Sequence, residues 1–399
     1  MNGPLFAERT KGVHRSFIRE ILKVTERPEV ISFAGGLPNP ALFPVDGLAE
    51  AARKVFMEQG GGALQYSTTE GYAPLREWIA ARYRNKRGLD VLPDEIIITT
   101  GSQQCLDLTA KCLVDRREAV LIERPGYLGA IQAMSFFGPE FVSVRLEGDG
   151  PDIAELQALL ATRKPRLFYA VTNFQNPSGQ TYSMEKRRLA GEILSDASTV
   201  LLEDDPYGEL RYAGEDLPPL YAFCRGPRIL LGSFSKIAAP GLRLGWAVCG
   251  NDIREKLITA KQAADLHTSS LTQRIMYEFL NLFDIDEHIE KIRERYGAQC
   301  KAMIRAAAEH FPPDARITEP EGGMFLWVEL PAGLSSLELF ERAVTENVAF
   351  VPGTPFFADG SGENTLRLNF SNTDEEAIDT GIRRLGRCME QFFKEKGAG

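Results

Sequence analysis

Short apolar runs alternate with longer amphipathic ones through the first two thirds of the chain. The runs "EIIITT" (95–100), "EAVLIE" (118–123), "FVSVRL" (141–146), "RLFYAV" (166–171), "STVLLED" (198–204) and "RILLGS" (228–233) each predict a strand. Several are apolar on both faces, as strands are in a parallel sheet covered on both sides. Between them, "SQQCLDLTAKCLV" (102–114) and "MEKRRLAGEILSDA" (184–197) have helical spacing. This alternation predicts an α/β sandwich with ligands at the carboxyl ends of the strands.

The pattern changes after about residue 250. In "EHIEKIRERYGAQCKAMIRAAAEHF" (287–311), Ile289, Ile292, Tyr296, Cys300 and Met303 recur at spacings of three and four, which predicts a long amphipathic helix. "GGMFLWVEL" and "TLRLNFS" then read as strands. Ahead of the alternating region lie one short helical pattern, "SFIREILKVTE", and a Gly/Pro-rich connector, "SFAGGLPNPALFP". The expected division is therefore an N-terminal helix and connector (1–46), a large domain (47–285) and a smaller α+β domain (286–399).

Composition narrows the function. A chain of 399 residues, 44% of them hydrophobic, has enough apolar mass for two domains. With 46 basic against 55 acidic residues the net charge is −9, and no Lys/Arg cluster is present. Nucleic acid is not an expected partner, because gripping it means neutralising phosphates. The six cysteines are scattered singly, which suits a reducing compartment better than a disulfide framework. The N-terminus lacks an apolar signal core, and no run approaches the ~18 uncharged residues of a membrane span. Cytoplasmic residence without a membrane partner is the expectation. The four histidines show no ligand spacing, so no metal site is expected.

The stretch "SFSKIAAPGLR" (233–243) carries the first chemical signal. It has too many breakers for a helix and too many small residues for a core strand. Lys236 stands among the hydroxyls of Ser233 and Ser235, with Gly241 to admit close backbone approach and Arg243 to supply a planar fork. Alone, a lysine reads as a solvated surface residue; with these neighbours, an amine stands beside a phosphate-binding set. That arrangement suits a Schiff base with pyridoxal phosphate.

Other loops fit the same ligand. "TTGSQQCLDL" ends a strand at Gly101 and starts a helix at Ser102 and Gln103, where free N–H groups favour an anion. "LLEDDPYGE" puts Asp204 at a strand end, able to face a pyridinium nitrogen, with Tyr207 three residues on to meet the ring's phenolic oxygen. Asn176, in "NFQNPSGQ", can donate to that oxygen, and Tyr127, in "ERPGYLGA", can stack on the ring. Each alone would pass for a turn or cap residue. Their common placement at predicted strand ends is what joins them.

The stretches "SFSKIAAPGLRLGW", "EDDPYGEL", "FQNPSGQ", "TTGSQQ" and "NTLRLNFS" resemble the fold-type I PLP-dependent aminotransferases, most nearly the broad-specificity 2-aminoadipate aminotransferase group. The resemblance implies a large domain with a mostly parallel seven-stranded sheet sandwiched by helices, plus a smaller α+β domain. It makes Lys236 the residue that carries the cofactor and moves the proton, Asp204 the partner of the pyridinium nitrogen, and Asn176 and Tyr207 the partners of the ring oxygen. Tyr127 would stack. Ser102, Gln103, Ser233, Ser235 and Arg243 would cradle the phosphate, and Tyr66 would reach the phosphate of a neighbouring subunit, which implies a homodimer with active sites at its interface. Arg367, Asn176 and Gly36 would bind substrate. Alternation in "TLRLNF" does place Arg367 and Asn369 opposite Leu366, Leu368 and Phe370, so Arg367 faces either a substrate carboxylate or a structural ion pair.

The implied reaction moves an amino group from an L-amino acid (2-aminoadipate, glutamate, aromatic or branched-chain) to a 2-oxo acid, with 2-oxoglutarate the expected acceptor, by a ping-pong mechanism. On the first helix, Arg19 lies in one row with Arg15 and Lys23. It is either part of a solvated basic face or the anchor for a distal substrate carboxylate. Two other readings use the same residues: a fold-type I β-lyase, and a non-catalytic PLP-binding regulator. Such regulators place a DNA-binding domain ahead of the aminotransferase body, for which the ~46 residues here leave little room.

Overall fold

The computed structural model describes residues 5–10, 13 and 27–397. After a two-residue strand, β1 (Ile31–Ser32), the apolar runs form β2 (Ile96–Thr99), β3 (Ala119–Arg124), β4 (Glu140–Glu147), β5 (Gly150–Pro151), β6 (Leu167–Ala170), β7 (Val200–Asp204), β8 (Arg228–Ser233) and β9 (Gly245–Cys249). These eight build one sheet in the order β2-β9-β8-β7-β6-β3-β4-β5. The four central pairings, from β8 through β7, β6 and β3 to β4, are parallel. The sheet has one strand more than the expected seven. The extra member is β5, a two-residue antiparallel addition to the edge strand β4.

Two separate apolar clusters explain why these strands are hydrophobic on both faces. Leu167 and Tyr169 of β6 belong to one cluster, and Phe168 and Ala170 to the other, as strand alternation requires. Helix Ser102–Leu113 covers β2, β8 and β9 on the first side. Helices Ile153–Arg163 and Met184–Ser195 supply Leu156, Leu160 and Leu194 to the second. Because β9 runs antiparallel to both β2 and β8, the carboxyl ends of β2, β3, β6, β7 and β8 lie along one edge, beside the start of β9. The sequence places its breakers and polar residues there.

A second sheet, antiparallel, joins β10 (Arg316–Ile317), β11 (Phe325–Glu329), β13 (Val351–Pro352) and β14 (Thr365–Asn369) in the order β10-β11-β14-β13. It packs with helices Ile285–His310, Ser336–Thr345 and Glu375–Lys396. The connector is tied to this part: β1 pairs in parallel with β12 (Val348–Ala349), and Phe33 O accepts from Asn369 N at 2.8 Å. Residues 34–37 are thereby carried from β14 toward the edge of the large sheet. No helix among the described residues is long and apolar enough to cross a membrane.

Candidate active site

A cavity of about 520 Å³ opens where the connector and β14 meet the strand ends of the large sheet. Gly36, Ser102, Gln103, Tyr127, Asn176, Asp204, Tyr207, Ser233, Ser235, Lys236, Arg243 and Arg367 all line it. Twelve of the fourteen residues singled out in the sequence therefore meet in one place. Tyr66 does not: it is 79% exposed, edge-on to His267 at 5.8 Å. Arg19 lies outside the described residues.

Asp204 ends β7 and is buried. Its Oδ2 accepts from the Tyr169 hydroxyl at 2.9 Å, while its Oδ1 is buried with no hydrogen-bond partner among the described residues. Burial is the main cause that raises its pKa to about 7; the Tyr169 bond opposes the rise and neighbouring Asp205 adds to it. Glu203, one residue earlier, points to the other side of the sheet, where it accepts from Leu220 N and Tyr221 N. Strand alternation thus leaves one carboxylate of the acidic run at the cavity and satisfies the other elsewhere.

Lys236 follows β8. Its Nζ donates to Gly36 O at 3.0 Å and lies 5.9 Å from the centre of the Tyr207 ring. Burial first, then the positive charges of Arg367 and Arg243, lower its pKa to about 8. No carboxylate forms a salt bridge with it among the described residues, so nothing opposes that fall. Tyr207 lines the cavity with Asn176 and makes an edge contact with Phe325 at 5.9 Å.

The anion cradle is backbone and cation together. Gly101, at φ +75°, precedes helix Ser102–Leu113, whose first N–H groups have no acceptor within the helix. A Cβ on Gly101 would come within 2.5 Å of the Arg243 guanidinium, and one on Gly245 within 2.5 Å of Ser102 N. These two glycines give the close approach the sequence suggested for Gly241, which stands in open space. Arg243 Nη2 donates to Thr100 O at 3.4 Å, and the Ser233 hydroxyl accepts from Ser235 N at 3.0 Å. Gln103 Nε2 donates to Gly129 O at 3.0 Å and fastens the loop that carries Tyr127. Burial pushes the Tyr127 phenol up to about 12, keeping it neutral.

Arg367 sits in the centre of β14 and is 2% exposed. Nη1 donates to Asn176 Oδ1 at 2.7 Å and Nη2 to Ala34 O at 2.9 Å, while the guanidinium lies 4.4 Å from the Phe325 ring and 5.2 Å from that of Phe356. Burial lowers its pKa to about 10. Among the described residues it has no carboxylate partner, so the structural ion pair left open by the sequence is not there. Tyr169 is the functional side chain the sequence did not reveal. It sits inside an apolar strand, and its only signal is a phenol one turn of alternation before the strand end.

These features fit pyridoxal phosphate. The orphaned Asp204 Oδ1 suits a ring N–H, the two glycine positions keep the cradle open for a phosphate, and Lys236 shares the cavity with both. The comparisons agree. The family model for aminotransferase class I and II matches residues 29–385. The chain is 46% identical to the 2-aminoadipate transaminase of Thermus thermophilus, over 95% of this chain and 94% of that protein. It is 39% identical to aromatic-amino-acid aminotransferase 1 of Thermococcus litoralis, over 98% and 95%. The solved structure of α-aminoadipate aminotransferase LysN from Thermus thermophilus, complexed with N-(5′-phosphopyridoxyl)-L-leucine, superposes with a TM-score of 0.91 at 44% identity and 98% coverage of both chains. The chain belongs to the aminotransferase class I and II family, as an aminotransferase of PLP fold type I whose cofactor is pyridoxal phosphate.

Proposed function

We propose that this aminotransferase takes the amino group of L-amino acids, among them 2-aminoadipate, glutamate, aromatic and branched-chain ones, and delivers it to 2-oxoglutarate by ping-pong kinetics. The observation that carries the reading is Arg367: a buried guanidinium with no carboxylate partner, in the same cavity as Lys236. A guanidinium in that state awaits a carboxylate, and every amino acid and 2-oxo acid brings one at the reacting carbon. The side-chain range follows from the relatives, one named for 2-aminoadipate, one for aromatic amino acids, and one solved with a leucine adduct. Leu37, Leu128 and Val171 give the cavity apolar surface for such side chains. Arg19 remains our candidate for a distal carboxylate.

When bound, pyridoxal phosphate supplies an aldehyde to receive the amino group and a cationic ring to draw electrons from the substrate's Cα. In our reading Asp204 holds the ring nitrogen through Oδ1, and Tyr207 and Asn176 hold the ring oxygen. Ser102, Gln103, Ser233, Ser235 and Arg243 hold the phosphate, and Tyr127 covers the ring. Arg367 orients the substrate by its carboxylate, with Gly36 beside it. Lys236 then takes and returns the substrate proton. An amine near pKa 8 is partly neutral at neutral pH and so is able to act as a base, which one near 10.4 is not. One carboxylate anchor serves donor and acceptor alike, so the two occupy the cavity in turn.

Tyr66 supports the homodimer. Outside its own cavity and exposed, it follows Leu64, with Phe56 and Met57 also exposed nearby in sequence, a surface suited to burial against a second copy. We also keep the three-part division at residues 46 and 285, and cytoplasmic residence. The test is a half-reaction panel. Cofactor-loaded protein is mixed with single amino acids and no acceptor, and the absorbance change and oxo acid formed are measured. We expect about one oxo acid per site, with turnover only once 2-oxoglutarate is added. Absence of any half-reaction across the panel overturns the reading.

A further inference from the structure

Behind the anion cradle lies a polar cluster, built around a buried lysine, that none of these roles uses. Lys261, in helix Asn251–Ala264, is 0% exposed. Its ammonium donates to Gln104 Oε1 at 2.7 Å, to Asp265 Oδ1 and Oδ2 at 2.8 and 3.0 Å, and to Thr268 Oγ1 at 3.0 Å. Each of those three residues also reaches Thr100. Gln104 Oε1 accepts from Thr100 N at 2.9 Å, Asp265 Oδ2 accepts from Thr100 Oγ1 at 3.0 Å, and Thr268 Oγ1 lies 3.2 Å from the same hydroxyl. Gln104 Nε2 closes the cluster by donating to Asp265 Oδ2 at 2.7 Å.

Thr100 is therefore held at its N–H and its hydroxyl from one side, and at its carbonyl by Arg243 from the other. Gly101 and Ser102, which open the cradle, follow directly. A buried ammonium is tolerated only when its partners are in place, so Lys261 holds Gln104, Asp265 and Thr268 where they reach Thr100. A turn fixed in advance loses less freedom when its ligand arrives.

We propose that Lys261, with Asp265 and Gln104, is a positioning cluster that pre-forms the turn 100–102 and so sets the protein's affinity for the phosphate group of its cofactor. The inference rests on the reading that this turn holds that phosphate. Lys261 touches neither cofactor nor substrate and acts only through the turn.

The experiment titrates cofactor-free protein with pyridoxal phosphate and with pyridoxal, which lacks the phosphate, and reads Kd from absorbance. Wild type, Lys261→Met and Thr100→Val are compared, with folding checked by thermal melting. Wild type should prefer the phosphorylated aldehyde. Lys261→Met should cut that preference about tenfold or more and Thr100→Val several-fold, with the Kd for pyridoxal moved less than about twofold. An unchanged preference in either folded variant overturns the proposal, as does equal loss for both aldehydes, the mark of a merely structural role. If Lys261→Met does not fold, Thr100→Val decides alone. A wild type without preference would instead overturn the placement of the phosphate.

Discussion

Tyr169 donates its phenolic proton to Asp204 Oδ2 at 2.9 Å, and this leaves Oδ1 as the one carboxylate oxygen free for a ring nitrogen. The two residues stand on neighbouring parallel strands, β6 and β7, so the sheet itself sets their spacing. The bond fixes which way the carboxylate faces, and it lowers a pKa that burial raises.

Removing the carboxylate and removing its support should therefore differ. Asp204→Asn loses the charge that keeps the ring cationic, and kcat should fall by about 100-fold or more, the scale of one lost electrostatic partner. Tyr169→Phe keeps the charge but loses the bond that opposes the rise, so the Asp204 pKa moves further up. In the cofactor-free protein, Asp204 of Tyr169→Phe should therefore titrate above its wild-type value, as read by carboxyl infrared or carbon NMR titration. The same midpoint in both proteins would refute that role.

The cofactor-free protein should show opposite pH slopes on either side of neutrality. The native Asp204 pKa of about 7 lies above the ordinary carboxylate value of about 3.9. Between those values the native state binds more protons than the unfolded one, so stability falls as pH rises from about 4 to 7. Lys236, at about 8 against an ordinary 10.4, works the other way: from about 8 to 10.4 the unfolded state binds more protons and stability rises. Denaturation midpoints across this range should fall less steeply in Asp204→Asn and rise less steeply in Lys236→Met. Profiles parallel to wild type in both variants would show that neither group is perturbed.

A single methyl at Gly101 should damage cofactor binding while sparing the fold. The position has φ +75°, which L side chains rarely adopt, and the added Cβ would meet the Arg243 guanidinium at 2.5 Å. Arg243 has to move, and it then loses its place in the cradle. We expect Gly101→Ala to weaken pyridoxal phosphate binding by about tenfold or more, with an unfolding temperature only a few degrees lower. Gly241→Ala is the control, because its Cβ would meet nothing within 4 Å.

The contrast between those glycines shows what the sequence disclosed. Lys236, Asp204, Asn176 and Arg243 were legible because a functional strand end breaks local rules: polar residues and breakers interrupt apolar runs there. Tyr169 was not, because a tyrosine in a buried strand obeys the rules of a core aromatic. β9 escaped notice for the same kind of reason. "GWAVC" follows the lysine loop closely, and its antiparallel insertion between β8 and β2 has no local signature. Lys261 drew no notice in the sequence, because its partner Gln104 lies 157 positions away and only the fold brings the two together.

Arg367 gives the sharpest test of substrate binding, because its two contacts to protein leave the fork orientation fixed. Asn176 Oδ1 and Ala34 O each take one N–H, and the rings of Phe325 and Phe356 hold the plane. Lysine at this position carries the charge but has no planar fork, so it cannot keep those contacts and meet a carboxylate through two parallel bonds. Arg367→Lys should raise KM for amino donor and 2-oxo acid together, by about 10- to 100-fold, the worth of one charge-assisted bond. A simple alkylamine, which has no α-carboxylate, should react with wild type and variant at similar rates. If the variant loses the alkylamine reaction to the same degree, Arg367 supports the cavity's shape and does not anchor the substrate.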